Sequence, residues 1–454
     1  SEGREAPMKV SCPGAKTYTT NFRDTTLVCP MFFLYNILSI IVLPFYLSLS
    51  ALRGRLNRDE LRERLGIVGK KAEGRRLVWI HGASVGEMSA CVPLVREIRK
   101  RFPGIGVVVS SMTRAGKTAA AEKIPGAGEV FLAPLDASLC TETALRRISP
   151  DAVIVLETEL WPNLLRSASK AHVKCAIANG RLSERSAGRY RFLRPVLKPI
   201  LAGMDAVIVQ TDDDMERFLR LGAVRERTKV LGNMKDDMNT PGEIPPDEKA
   251  LLRESLGLGS KRRVVVAGST RPGEEEEIVA AFEKVRGEFP ETLLVLAPRH
   301  MKRVKEVERI LSNSGLSFRK RTVPDSRDAS QVNVVLLDTV GELRKFFSAA
   351  DISFVGGTIK PYGGHNVIEP AALGIPVSFG PNFEKCKDAA LALIESGGGK
   401  VGRDGIELGD IWLGWMRDKS KRTTAGKHAV RTVLGRMGAS ERTVSFLAER
   451  GVLR

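Results

Sequence analysis

Between residues 77 and 231, short runs of β-branched and apolar residues alternate with longer stretches of helical periodicity. The runs are Leu77 to Ile80, Gly106 to Ser110, Val130 to Ala133, Ala152 to Leu156, Lys174 to Ala178, Ala206 to Gln210 and Lys229 to Leu231. Runs that are apolar throughout predict strands buried on both faces, so the pattern reads as a parallel sheet wrapped by helices. It breaks at Asn239-Thr240-Pro241-Gly242-Glu243-Ile244-Pro245-Pro246-Asp247, a Pro-rich polar stretch without apolar periodicity, and then restarts. Arg263 to Ala267, Thr292 to Ala297, Asn333 to Leu337, Ile352 to Val355 and Pro376 to Phe379 supply a second set of strands. The expected organisation is two α/β units, over 54–236 and 263–426, joined by a linker over 237–262 and followed by a C-terminal helix over 427–454. In folds of this class ligands bind in the crevice at the carboxyl ends of the strands, here expected between the two units.

Upstream of the first strand the pattern is different. No charged residue occurs from Thr25 to Leu52, and Met31 to Leu52 is long enough for a bilayer core of about 30 Å. This predicts a membrane anchor over 27–53, preceded by a disordered lead-in over 1–26. Residues 53 to 72 carry Arg53, Arg55, Arg58, Arg62, Arg64, Lys70 and Lys71, whereas residues 11 to 30 carry only Lys16 and Arg23, which places the bulk of the chain on the cytoplasmic side. A cleaved signal peptide fits less well, because the apolar stretch is long and a basic one follows at once. Pro44 leaves open a kinked or half-inserted helix. A second segment, Arg185 to Ile200, interleaves Arg185, Arg189, Arg191, Arg194 and Lys198 with Tyr190, Phe192, Leu193, Val196, Leu197 and Ile200; it reads either as a surface for anionic lipid or as a solvated helix face.

The chain of 454 residues exceeds a single core, and its formal net charge of +18 calls for an anionic partner without choosing among nucleic acid, anionic lipid and a phosphorylated substrate. Nucleic acid is disfavoured by the absence of stacking platforms and known nucleic-acid motifs. Cys12, Cys29, Cys91, Cys140, Cys175 and Cys386 are scattered, with no C-x-x-C pair and no metal-ligand spacing among cysteines or histidines. Reduced thiols and metal-independent chemistry are the expectation.

Polar residues that carry chemistry cluster after the strands. Trp79-Ile80-His81-Gly82-Ala83-Ser84-Val85-Gly86-Glu87 runs from a strand into a small-residue turn, with Ser84 and Gly86 shaping it and Glu87 near a helix N-terminus. Glu87 there is a candidate general base; the alternative is an ordinary acidic first-turn residue. Glu157-Thr158-Glu159-Leu160-Trp161-Pro162-Asn163 sets two carboxylates on one side if the strand continues, as a second acid/base pair, a site for acceptor amines or hydroxyls, or helix caps. Arg181, in Asn179-Gly180-Arg181-Leu182-Ser183, falls at the crevice edge. In the second unit Ser269-Thr270 ends a strand, followed by Arg271-Pro272-Gly273-Glu274-Glu275, and Ala297-Pro298-Arg299-His300 sets a fixed cation beside a titratable ring. The densest cluster is Phe354-Val355-Gly356-Gly357-Thr358 with Gly363-Gly364-His365-Asn366-Val367-Ile368-Glu369-Pro370. Its glycines permit close backbone approach, a helix starting near His365 would present its N-terminus to phosphate, and Glu369 would take ribose hydroxyls. Ser111 to Thr118 (SMTRAGKT) ends like a nucleotide-binding P-loop but has Ser where the first Gly belongs, and no acidic strand partners it.

Taken in order from about Leu34 to Gly380, WIHGASVGE, SSMTRAGKT, ETELWPN, NGRLSERS, GNMKDD, AGSTRPGEEE, APRH, DTVGEL and FVGGT with GGHNVIEP resemble the 3-deoxy-D-manno-octulosonic acid (Kdo) transferases of lipopolysaccharide biosynthesis. The resemblance implies a GT-B glycosyltransferase of two Rossmann-like domains, a CMP-Kdo donor, a lipid A precursor as acceptor and an anchor at the cytoplasmic face of the inner membrane. It implies Glu87 as catalytic base of an inverting transfer. Ser269, Arg299, His300, Gly356, Gly357, Gly364, His365, Asn366 and Glu369 would then hold the donor, and Ser84, Gly86, Glu157, Glu159 and Arg181 the acceptor or sugar. Arg181, Lys117 or the turn from Ser84 to Gly86 would meet the Kdo carboxylate. Arg271 stands where relatives have His, and Cys386 in NFEKCKDAA interrupts an aromatic pattern. The rival readings are another GT-B nucleotide-sugar enzyme, such as a lipid-linked sugar transferase or UDP-sugar epimerase, and a non-enzymatic basic membrane-surface protein.

Overall fold

The structure, a computed structural model, describes residues 30–52 (side chains to Ile41), 57–69, 76–124, 126–238, 241–242, 245–256, 258, 262–323 and 332–453. The expected lead-in over 1–26, Cys12, Cys29 and part of the linker and basic flank lie outside the described residues. The chain forms two units, Ser1–Leu231 with Glu441–Arg454, and Gly232–Ser440.

In the first unit seven strands form one sheet: β1 (Leu77–Gly82), β2 (Gly106–Ser111), β3 (Glu129–Leu132), β4 (Ala152–Leu156), β5 (Lys174–Gly180), β6 (Ala206–Val209) and β7 (Thr228–Val230), ordered β3-β2-β1-β4-β5-β6-β7. Every pair is parallel, which requires crossovers and covers both faces. Val78 to His81 is hydrogen-bonded on both sides, to Val107–Ser110 and to Ala152–Val155. The winding reverses between β1 and β4, which opens a crevice beyond their carboxyl ends. One face of the sheet is packed by Trp79, Phe131, Val153, Leu164, Ile200 and Phe218. The Trp79 indole is fully buried and donates to Ser110 Oγ at 2.7 Å.

The second unit repeats the plan with β8 (Val264–Thr270), β9 (Leu293–Pro298), β10 (Phe318–Lys320), β11 (Val334–Leu336), β12 (Ile352–Val355), β13 (Val377–Phe379) and β14 (Gly399–Val401), ordered β10-β11-β9-β8-β12-β13-β14 and again all parallel. Its switch point lies between β8 and β12. The edge strands β10 and β14 escape sequence reading because each spans 3 residues, Phe-Arg-Lys and Gly-Lys-Val, without a sustained apolar run. Two apolar layers sandwich the sheet, one around Val266, Phe346 and Phe379 and the other around Phe282, Leu296 and Trp412.

Three sequence expectations change. The tail is not one helix from residue 427: helix Lys419–Arg436 ends, Gly438 turns at φ 82°, and helix Ala439–Glu449 returns to the first unit, where Val444, Phe446 and Leu447 are buried. The segment Arg185 to Ile200 is two helices, Glu184–Phe192 and Arg194–Ala202, and its Val196, Leu197 and Ile200 belong to the core; Phe192 remains exposed. The apolar positions there serve packing first. The expected anchor forms a helix over Pro30–Leu52, but among the described residues no helix is long and apolar enough to cross a membrane. Its described part is tied to the first unit by polar contacts that a bilayer core would have to desolvate. Phe32 is buried under the Arg166 guanidinium at 4.0 Å, Tyr35 donates to Asp136 Oδ2 at 2.7 Å, and Ser138 Oγ donates to Asn36 Oδ1 at 2.7 Å.

In the second unit Trp412, fully buried, donates to Ser378 Oγ at 2.9 Å. Ser378→Ala removes that acceptor, and the stranded indole N–H is expected to cost about 1–3 kcal/mol, read as a lowered urea midpoint with an unchanged slope.

Candidate active site

In the first unit Glu87 lies in the first turn of helix Val85–Arg101, three residues beyond the N-cap Ser84. Its carboxylate is held rather than free: Ala83 N–H donates to Oε2 at 2.5 Å and Ser84 Oγ donates to Oε1 at 3.1 Å. Both readings of the residue therefore have a physical basis, since it ties the helix start and still lies at the carboxyl end of β1. Burial pushes its pKa up to about 7; the Ala83 and Ser84 bonds oppose that, and the neighbouring charges of Glu159 and Glu157 add to it. Gly86 does not shape the turn as expected: a Cβ there would meet only Ser84 Oγ at 3.7 Å. The space-limited glycine is Gly82, whose added Cβ would meet Met88 Cε at 2.6 Å.

Glu157 and Glu159 reach this neighbourhood by a route the alternation argument did not foresee. The strand stops at Leu156, and Glu157 adopts a left-handed conformation with φ 54°. The two carboxylates are therefore set by a turn. Glu159 Oε2 accepts from Trp161 Nε1 at 2.7 Å and lies 3.9 Å from His81 Nε2. Helix capping is not their role, because Asp136 accepts from the N–H groups of Asn163 and Leu164, at 3.1 and 2.9 Å. His81, which sequence reading passed over, is fully buried and shares its Nδ1 with Ser110 Oγ at 2.9 Å. Burial holds its pKa down at about 3, so the ring is neutral, and its Nε2 has no hydrogen-bond partner among the described residues. Arg181 is exposed in the turn after β5, and its charge acts on Asp214. Lys117 is paired with Glu63 at 2.6 Å, and the P-loop-like segment is an ordinary capped helix, Arg114–Lys123 with Thr113 as N-cap.

In the second unit β8 ends in a bulge at Ser269, whose φ is 60°. Asn179, at the bulge of β5, has φ 57°. Left-handed non-glycine residues thus stand after β4, in β5 and in β8 at the ends that carry the polar clusters, where strain is tolerated because the sheet over-determines it. Gly356 is required by close approach, since a Cβ would lie 2.5 Å from the Ser269 carbonyl oxygen. Gly357 and Gly364 have φ 73° and 85°, and the Gly364 N–H donates to the Gly357 carbonyl at 2.7 Å.

The residue that organises this loop is Glu274, fully buried. Its Oε2 accepts from the N–H groups of Arg271 at 2.9 Å and Gly357 at 2.7 Å, and its Oε1 from those of Thr358 and Ile359, both at 2.8 Å. Four backbone donors replace a cation as counterweight to the carboxylate. In sequence it looked like a solvated helix-start acid, since three more glutamates follow it.

Around the loop the charges are mostly positive. Arg271 Nη1 lies 2.6 Å from His300 Nε2, and its guanidinium stacks 4.4 Å from the Tyr362 ring centre. His365 is half-buried; burial, then Arg299, Arg271, Lys385 and His300, hold its pKa down at about 4. Its Nε2 is buried without a partner among the described residues. Glu369 is pushed up by burial and eased back by Arg344 and Arg299. The helix expected near His365 starts only at Ile368 and spans 4 residues, with Asn366 Oδ1 accepting from the Ile368 N–H at 3.1 Å. A helix this short contributes little macrodipole, so the positive field comes from side chains. Arg299 follows β9 and is exposed, while its N–H holds the Thr270 carbonyl at 3.0 Å. Such a cluster suits a phosphate-bearing ligand beside a hydroxyl acceptor at Glu369. Among the described residues no group of three or more His, Cys, Asp or Glu is placed to hold a metal ion.

Two parallel α/β units of this construction match the UDP-N-acetylglucosamine 2-epimerase of Neisseria meningitidis bound to UDP-GlcNAc, with a TM-score of 0.58 at 13% identity over 82% of this chain and 100% of that one. The Anabaena protein HepE in complex with UDP and glucose matches with a TM-score of 0.56 at 18% identity, over 83% and 100%. The fold is GT-B. Within that class the family model of 3-deoxy-D-manno-octulosonic-acid transferase matches residues 59–238. The 3-deoxy-D-manno-octulosonic acid transferase of Chlamydia muridarum is 35% identical over 318 residues, 69% of this chain and 72% of that protein, and that of Haemophilus influenzae is 29% identical over 424 residues, 91% and 97%. The chain belongs to the Kdo transferase family and is a glycosyltransferase.

Glu274→Ala should leave three buried N–H groups and the part-buried one of Arg271 without an acceptor, costing upwards of about 3 kcal/mol from roughly 1–3 per stranded group. In hydrogen exchange, the amides of Gly357, Thr358 and Ile359 should lose protection before the strands of the same sheet do; unchanged protection there would dismiss Glu274 as the organiser of the loop.

Proposed function

We propose that the chain transfers Kdo from CMP-Kdo to a hydroxyl of a lipid A precursor with inversion at the anomeric carbon, Glu87 acting as general base. The observation that carries this reading is a carboxylate at the carboxyl end of β1 whose pKa is pushed up to about 7, where a base is most effective at neutral pH. The names of the relatives support Kdo as the group transferred.

Glu87 takes the proton of the acceptor hydroxyl as that oxygen forms its bond to the anomeric carbon. The bond from that carbon to the phosphate oxygen breaks, and CMP leaves with the electron pair. Arg271, Arg299 and His365 meet the developing phosphate charge, and a neutral His365 gains a proton more readily once that dianion is beside it. Glu369 holds ribose hydroxyls. Side-chain cations perform the charge stabilisation, so the scheme calls for no metal. Glu157 and Glu159 raise the basicity of Glu87 and present acceptors to the amino sugar. Helix Pro30–Leu52, with Phe33, Leu34, Leu38, Ile40 and Ile41 exposed, would hold the enzyme at the cytoplasmic face of the inner membrane, where its lipid acceptor lies.

Mass spectrometry of products from CMP-Kdo and lipid A precursor tests this directly. The wild type should add one or more Kdo-sized increments, and Glu87→Ala should add none while binding CMP-Kdo nearly unchanged; wild-type turnover by that variant would eliminate Glu87 as the base. Because the base must be ionised, kcat/KM should fall about tenfold per pH unit below an apparent pKa near 7. Glu159→Gln removes a neighbouring negative charge and keeps an acceptor for Trp161, so it should move that limb to lower pH.

A further inference from the structure

The second unit has a cavity of about 530 Å³ that the transfer reaction does not use. It lies at the amino ends of the strands: Arg263 precedes β8, Asp351 precedes β12 and Pro376 precedes β13. Ser269, Arg299 and Gly356 mark the other edge of the same sheet, so the cavity is separate from the donor cluster. Helix Pro246–Ser255 contributes Lys249 and Arg253, and the first turn of helix Lys419–Arg436 contributes Lys419 and Arg422.

Six cations, Lys249, Arg253, Arg262, Arg263, Lys419 and Arg422, line this space against one carboxylate, Asp351. That carboxylate is already engaged: its Oδ2 accepts from Arg253 Nη2 at 2.5 Å and from the Val264 N–H at 2.9 Å. Arg263 Nη1 is buried with no hydrogen-bond partner among the described residues, although the guanidinium stacks 4.3 Å from the Phe289 ring centre. The cations act against one another. Lys249 is held down at about 8, by burial first and then by Arg253 and Arg422, with Asp351 opposing. Arg422 is lowered by burial, with Arg263 and Arg253 adding to it and Asp351 opposing. Concentrating like charges around an open space is unfavourable unless an anion shares it. The volume falls in the range of small-molecule sites, roughly 300–1,000 Å³, and Leu373, Ile375 and Pro376 give one wall an apolar surface.

We propose that this cavity binds a small phosphorylated molecule carrying two or more phosphate charges, as a site distinct from the donor cluster. The phosphates would lie among Arg263, Lys419 and Arg422, within reach of the N-terminal turn of helix Lys419–Arg436, and an organic portion against Leu373 and Ile375.

Titration calorimetry of the full chain with inorganic tripolyphosphate tests the proposal. The expected result is a site, counted apart from any binding at the donor cluster, whose affinity drops at least tenfold in the double variant Arg263→Gln with Lys419→Gln and stays unchanged in Arg299→Gln. Lys419→Glu, at an exposed position in a helix first turn that favours acids, supplies a second variant whose folding is not at stake, and it should weaken binding as much or more. Equal affinity in the cavity variants would overturn the assignment, as would loss in Arg299→Gln, which would place the ligand in the donor cluster, or no binding to the wild type. Phosphatidylglycerol vesicles form the other arm: vesicle binding that the cavity variants lose, without tripolyphosphate binding, would replace a solute site by a membrane contact. Without ligand the cavity variants should melt no lower than the wild type; a clear fall would mean that the cations serve the fold.

Discussion

A parallel sheet covered on both faces has no room for a charged side chain except at its two ends, and both units of this chain are built on that constraint. Every strand pair is parallel, and the interiors of the central strands are occupied mainly by Val, Ile, Leu, Ala and Phe, with charged interior residues only in the edge strands. Polar chemistry is therefore pushed beyond the last residue of each strand. Where the winding reverses, between β1 and β4 and between β8 and β12, no crossover helix covers those ends, and the polar residues gather there. Glu87, Glu157 and Glu159 follow from this in the first unit, as do Ser269 and Gly356 in the second.

The two clusters differ in sign because they are assembled differently. In the first unit, carboxylates are brought together at a half-buried place, and each raises the proton affinity of the next. In the second, the buried carboxylate of Glu274 is consumed by backbone donors and that of Glu275 by Arg303, so they fix the loop and leave the surrounding arginines as a positive field. The first environment raises the proton affinity of a carboxylate, and the second suits an anion. The difference in sign follows from which partners the carboxylates have, rather than from how many are present.

The strands and their order of appearance were legible because apolar runs of four or more residues have few other uses; the stretch expected as a linker over 237–262 instead carries the helix Pro246–Ser255, and the units divide at Leu231/Gly232. The edge strands β10 and β14 were not, since three residues with a charged centre carry no period. Glu87 was legible from its place after a strand and before a helix. Glu274 was hidden because four consecutive glutamates look alike in sequence, and only folding decides that the first two of them face inward. His81 was hidden for a related reason: a histidine at the end of an apolar strand has no spacing that marks it. The left-handed conformations of Glu157, Asn179 and Ser269 had no glycine to announce them, and the strand alternation that linked Glu157 to Glu159 proved to be a turn. In the segment from Arg185 to Ile200 the helical period was present, but period alone does not say whether an apolar face meets a core or a lipid.

The return of the C-terminal helix gives the two units unequal standing along the chain. Residues Gly232–Ser440 form one continuous stretch, whereas the first unit is split, with Arg442 donating to the Leu231 carbonyl and Arg450 to that of Asp205. The second unit is thus an insertion within the first. A recombination event, or a designer, could exchange it with two cuts and keep a working scaffold, while the first unit has no contiguous gene fragment that encodes it whole. The second unit can therefore vary by cassette replacement, whereas the first must vary by substitution in place.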